Sequence, residues 1–202
     1  GERVAYLGDS NRMVGEETQV IDVQGKLLAP GYIEPHGHPF QLYNPAAYAD
    51  NVLTWGTTCS VNDNLLFMNL LSPDQIIEMV EAMHLHPVKM LWSARLDPQT
   101  YTREAADRFA PEAVSQLIRH PWFVQVGELT DWPSLLGDGR QMQDWMVEAL
   151  EIGKKAEGHA PGASENTLGA LAAAGVTACH ESISAEEVLR RLRLGMYATL
   201  RC

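Results

Sequence analysis

Basic residues are scarce. The 202 residues carry 15 Lys and Arg against 26 Asp and Glu, for a formal net charge of −11. The few bases are scattered along the chain. Nucleic acid and anionic membrane surfaces both require a basic patch, so neither is expected as a partner. Cysteine is rarer still: Cys59, Cys179 and Cys202 are odd in number, far apart and without a CxxC spacing. That argues against a disulfide framework and makes a reducing cytoplasm the expected compartment. Cys59 and Cys179 sit in apolar, strand-like runs and read as buried, space-filling thiols. Long apolar runs are missing too. None approaches the roughly 18 to 20 residues that span a bilayer, and no secretory leader is expected. Neither GxGxxG nor a P-loop follows the first strand, which removes the main support for a nucleotide-binding open sheet.

What remains is a globular composition, 46% hydrophobic and 20% charged, long enough for one substantial domain. From residue 28 onward, short apolar runs alternate with helical patterns. Strands are expected near 29–36, 57–62, 88–95, 122–128, 155–159, 176–180 and 196–201, with helices near 45–54, 73–84, 111–119, 140–153, 165–174 and 185–194. Several helix ends are marked. Ser72, Pro73 and Gln75 form a capping box, and Ile76, Ile77, Val80 and Met83 then make one apolar face. Ser184 and Glu187 repeat the box, while Gly175 and Gly195 end two helices. This alternation predicts a parallel α/β architecture, a (β/α)8 TIM-type barrel with about seven of its strands present. Residues 1–27 alternate as β segments between turns and are expected to be part of a small β domain, leaving 28–202 as a barrel incomplete at its C-terminus.

Chemistry in such barrels collects at the C-terminal ends of the strands. "GYIEPHGHPF" (31–40) ends the first strand with Glu34, His36 and His38 on one face, since strand side chains alternate. The second strand delivers Asn62, Asp63 and Asn64, the fourth Glu128, the fifth His159, and the sixth His180 and Glu181. Taken singly, each histidine is as well explained by a structural role. Four imidazoles and a carboxylate from four strand ends point instead to a metal centre. Imidazole and carboxylate suit manganese, iron or zinc, and this donor set has room for two divalent ions. A water shared by such ions loses a proton near neutral pH, which is the basis of metal-assisted hydrolysis. No Lys or Arg adjoins Glu128 in the sequence, so a metal is its expected partner if it is buried.

The stretches "APGYIEPHGHPF", "WGTTCSVND", "VGELTDWP", "EGHAPGAS", "ACHESIS" and "RLRLGMYATLR" resemble, in order, the landmarks of the amidohydrolase superfamily. More narrowly they are similar to the adenine deaminase family, in a divergent adenine-deaminase-like branch. The resemblance implies that His36 and His38 ligate one metal, that Glu128 is the catalytic bridging carboxylate, and that His159 and His180 ligate the other. It implies hydrolysis of a C–N bond in a small heterocycle, adenine or a relative, with homo-oligomerisation open. A cyclic amidase or N-deacetylase on the same scaffold is the enzymatic alternative. A non-catalytic metal-binding or inert truncated domain is the other. The chain departs from the family twice. The usual "DPHE"-like loop reads Asp63, Asn64, Leu65, Leu66 here, and no aspartate follows Asp144 to supply the residue expected on strand eight. The expectation is therefore a truncated chain, weak or inactive by itself.

Other residues have two readings each. Asp63 and Asn64 touch substrate or cap their loop. Glu181 contacts substrate, orients a ligand or faces solvent, and Arg201 reaches substrate or is surface charge. Trp132 lines the pocket or, more simply, packs. The second HxH, His84 and His86, falls at a helix C-terminus before the third strand, on the opposite rim, and with His120 is expected to be solvated capping.

Overall fold

A computed structural model describes residues 3–8, 12–100 and 103–200. The chain divides into two compact units, Gly1–Pro30 and Gly31–Cys202. In the first, backbone bonds close local turns, Gly15 O accepting from Thr18 N (3.0 Å) and Val23 O from Lys26 N (2.9 Å). Its described residues form no strand, contrary to the β segments expected for 1–27. Alternating apolar residues become a strand only when another edge pairs with their backbone.

The second unit is a TIM-like α/β barrel, nearly closed. Strands β1 (Tyr32–Gly37), β2 (Thr57–Asn62), β3 (Lys89–Ala94), β4 (Phe123–Leu129), β5 (Lys155–Gly158), β6 (Ala178–Ser182) and β7 (Tyr197–Leu200) follow one another in a single sheet in chain order. Every neighbouring pair is parallel. Helices α1 (Pro45–Thr54), α2 (Leu65–Leu70) and α3 (Pro73–Met83) precede β3, and α4 (Ala105–Arg108) and α5 (Pro111–Arg119) follow it. Then come α6 (Trp132–Leu136), α7 (Arg140–Glu151), α8 (Glu165–Ala173) and α9 (Ala185–Arg193). The strands and six longer helices fall where the sequence puts them. The short helices α2, α4 and α6 were not expected, because four to six residues carry too little periodicity to read.

The capping box at Ser72 is complete, with Ser72 N donating to Gln75 Oε1 (2.9 Å) and Gln75 N to Ser72 Oγ (3.4 Å). At α9, Ser184 Oγ accepts from Glu187 N (3.3 Å), but Glu187 Oε2 reaches one residue further and takes the Ile183 N–H (2.8 Å). The core lies between sheet and helices: Trp92, Phe123, Val126 and Leu129 from the strands meet Ile76, Val80, Leu117 and Met146 from the helices, all buried. Cys179 is buried as expected, whereas Cys59 is only half-buried. Trp132 packs against the core. His84 is the exposed C-cap residue of α3, as expected, and its ring lies against Trp122 with centroids 3.7 Å apart, whereas His86 is half-buried with Nε2 3.0 Å from Asp50 Oδ1. His120 Nε2 is 3.5 Å from Glu81 Oε1.

Candidate metal centre

Two glycines let the strand ends converge. Gly37 separates His36 from His38, and a Cβ there would meet Tyr48 Oη at 2.6 Å and Asn62 Oδ1 at 2.8 Å. Gly127, at φ +124°, precedes Glu128, and a Cβ there would stand 2.3 Å from the Glu157 carbonyl oxygen. β4 can therefore lie close against β5 only with glycine at this position, and that approach sets Glu128 beside the residues of β5.

The structure brings together His36, His38, Glu128, His159 and His180. His36 Nε2 and His38 Nε2 are 2.9 Å apart. His36 and His180 stack with centroids 3.7 Å apart. Glu128 stands between two pairs of imidazoles. Its Oε1 contacts His159 Nδ1 and lies 3.2 Å from His180 Nε2, and its Oε2 lies 3.9 Å from His36 Nε2 and 4.0 Å from His38 Nε2. Glu181, buried at the end of β6, adds Oε1 at 3.4 Å from His180 Nε2 and 3.5 Å from His159 Nδ1.

Behind the rings stand carboxylates. Glu157 bonds two histidines at once, Oε2 at 2.9 Å from His36 Nδ1 and Oε1 at 3.1 Å from His180 Nδ1. Asp63 Oδ2 lies 3.3 Å from His38 Nδ1. A carboxylate accepts only, so these contacts put a proton on each Nδ1 and turn each Nε2 inward, toward Glu128. Asp63 is buried, and Asn64 Oδ1 accepts the Arg95 backbone N–H (3.1 Å), so Asn64 braces the β3 end and is not among the residues that line the cavity. Arg201 lies outside the described residues.

Glu157 and Arg95 are the residues that sequence reasoning missed. Glu157 shares a face of β5 with His159 by strand alternation, which was a usable signal. Arg95 is the first residue after β3, a strand from which no end group was taken. It corrects the expectation that Glu128 lacks a cationic side-chain partner: Arg95 Nη2 donates to Glu128 Oε2 (2.7 Å) and Nη1 to its backbone carbonyl (2.7 Å). Nε and Nη2 also grip both Asp63 oxygens, at 2.7 and 3.2 Å.

The donor set fits a divalent cation. Four buried carboxylates, Asp63, Glu128, Glu157 and Glu181, stand at this centre, and the buried Arg95 guanidinium pairs with two of them, Asp63 and Glu128. Arg95 by itself does not balance Asp63, Glu128 and Glu157, and burial makes the excess costly unless protons or a metal offset it. Burial alone would raise the Glu128 carboxyl, but His159 and His180, then Arg95, hold it far below the usual range. Burial likewise disfavours the His180 imidazolium, yet bonds to Glu128 and Glu157 outweigh it and push that ring up to about 9. The centre therefore attracts cations strongly. It opens into a cavity of about 420 Å³ whose walls include Phe40, Leu65 and Gln99.

A TIM-type barrel with imidazoles and carboxylates gathered at the C-terminal rim of its strands is the class that fold and site define. No family model matches the chain. It is 41% identical over 201 residues to the "Putative adenine deaminase" of Halalkalibacterium halodurans, covering 99% of this chain and 35% of that relative. Identity to the "Putative adenine deaminase" of Bacillus subtilis is 38% over 200 residues, 99% of this chain and 34% of the relative. To the "Adenine deaminase" of Moorella thermoacetica it is 33% over 203 residues, 98% of this chain and 34% of the relative. Over nearly all its length the chain is adenine-deaminase-like, and it spans about a third of the length of these curated relatives.

Proposed function

We propose that this chain carries the metal centre of an amidohydrolase that deaminates adenine or a related heterocycle with water. The balanced reaction would exchange a ring amino group for oxygen: adenine and water become hypoxanthine and ammonia. The observation that carries this reading is the convergence of the Nε2 atoms of His36, His38 and His180 on Glu128, each ring held from behind by Glu157 or Asp63. His36, His38, His159, His180 and Glu128 would hold the divalent metal, manganese, iron or zinc. Once bound, the metal supplies Lewis acidity and lowers the pKa of water.

The rest is done by the chain itself. Glu157 keeps the Nδ1 protons of His36 and His180 in place, fixing tautomer and ring angle. Asp63 does the same for His38. Phe40, edge-on to His38 at 5.5 Å and to Phe67 at 5.6 Å, gives the cavity an aromatic wall that suits a flat heterocycle. Gln99 Oε1 accepts from Arg95 Nη2 (3.3 Å), which leaves its amide N–H groups to meet ring nitrogens or carbonyls. Substrate recognition is thus assigned to the walls beside the centre rather than to Asn64.

Ammonia release from purines, pyrimidines and cyclic amides, measured before and after chelation and with manganese, iron or zinc restored, tests the reading. Chelator-sensitive deamination is the expected result. Metal content of His159→Ala and Glu128→Ala tests the ligands separately, and full metal content in both would overturn their assignment.

A further inference from the structure

Three of the four imidazoles at the centre have a carboxylate behind them, and His159 is the fourth. It turns Nδ1 rather than Nε2 to Glu128, and its polar side-chain contacts among the described residues all run through Nδ1. The sheet does not tie it to His180 either. The β5–β6 ladder pairs Glu157 with Ala178 and Gly158 with Cys179, and so stops one residue short of both histidines. The His159 N–H goes to Leu129 O of β4 instead (3.1 Å). Arg191 of α9 bridges the gap. It is 1% exposed, and its Nη2 donates to the carbonyls of Ala160 (2.8 Å) and Glu181 (3.2 Å), the residues that follow His159 and His180. Nη1 donates to the Glu187 carbonyl of its own helix (3.2 Å), which anchors the guanidinium plane. Nε is buried with no described partner, so this side chain is a costly way merely to fill space.

We infer that Arg191 is a positioning residue for the metal centre, clamping the ends of β5 and β6 so that His159 and His180 meet at Glu128. An Nη2 group carries two N–H bonds in fixed directions, one for each carbonyl. The clamp therefore takes over where the ladder ends. It sets the separation of two backbone segments, and with it the 3.2 Å between His159 Nδ1 and His180 Nε2, both of which face Glu128 Oε1. Without the guanidinium, both buried carbonyls lose a donor and the strand ends can part. His159 should drift first, because its ring is not braced by a carboxylate. The inference rests on the reading of this centre as a metal site, and it assigns a role there to an arginine that need not touch the cation.

The test measures manganese affinity by competition with a chelator, and the visible absorption of the cobalt-loaded protein, which reports ligand geometry. In Arg191→Met, affinity should fall about tenfold or more and the cobalt bands should shift or weaken. Arg191→Lys keeps the charge, but its ammonium ends one bond short of Nη2, so it should show the same loss; it decides the matter where the methionine variant folds poorly. Ile118→Ala, a core truncation on α5 away from the centre, is the control for lost stability alone and should leave affinity and bands as they are. Native affinity and bands in Arg191→Lys, or changes in Arg191→Met no larger than those in Ile118→Ala, overturn the inference while leaving the metal reading intact. Absence of manganese and cobalt uptake by the unaltered protein removes both.

Discussion

Glu157 shows how a single carboxylate fixes two ligands. It is 2% exposed, and each oxygen serves a different ring, His36 from one side and His180 from the other. Replacing it with alanine leaves two Nδ1–H groups without that acceptor and frees both rings to rotate. Metal affinity, measured by competition with a chelator, is expected to fall about 10- to 100-fold with the barrel still folded. An unchanged affinity would show that the rings are held by other means. Lys154 gives a residue-scale prediction away from the centre. Its Nζ donates to the His120 carbonyl (2.7 Å), and burial pushes its ammonium down to about 8 from 10.5. Between those values the unfolded chain binds more protons than the folded one, so the Lys154 contribution makes stability rise with pH across that window. The difference in urea midpoint between the native chain and Lys154→Met, followed from pH 7 to 10.5, should move in favour of the native chain. A pH-independent difference would contradict the assignment.

At the scale of elements, the sequence was most readable where a local rule acts. The Ser72 box and the alternation of apolar runs are local, and they placed the strands and longer helices within a few residues. Contacts between distant residues were not readable in the same way. Arg95 reaches Glu128 across 33 positions and Glu157 reaches His36 across 121, and no local pattern announces either pair. The histidines were readable because several strand ends were compared at once, while Arg95 escaped because β3 was left out of that comparison. Glycine at the strand junctions carries an element-scale prediction. Gly127→Ala puts a Cβ 2.3 Å from the Glu157 carbonyl, at a φ of +124° that alanine rarely adopts. Because the obstacle is backbone, β4 must move away from β5, with a loss of more than about 3 kcal/mol measured by urea unfolding. Gly37→Ala meets side-chain oxygens instead, and its cost should be smaller, about 1–3 kcal/mol. A reversed order would mean that the β4–β5 approach is less constrained than its geometry.

For the whole molecule, sheet order equals chain order, the arrangement that repeated βα units with one crossover hand produce. That was legible because it follows from alternation alone. The same barrel collects Asp63, Glu128, Glu157 and Glu181 at one centre, with Arg95 pairing the first two, in a chain whose net charge is already −11. The cluster makes stability and metal loading one problem. A cation bound by the folded state and ignored by the unfolded chain stabilises the fold by mass action, about 2.7 kcal/mol at a free concentration one hundred times Kd. For a chain of this size that is a rise in Tm of roughly 5 to 10 °C. Manganese added to chelator-treated protein should produce that rise in a concentration-dependent way, whereas magnesium, which favours all-oxygen ligands, should do little at equal concentration. In Glu128→Ala the manganese effect should shrink sharply, because the oxygen facing His159 and His180 is gone. Scanning calorimetry of the four combinations, native and variant, with manganese and without, decides the matter. A Tm indifferent to manganese in the native chain would mean that protons, rather than a metal, balance the buried carboxylates.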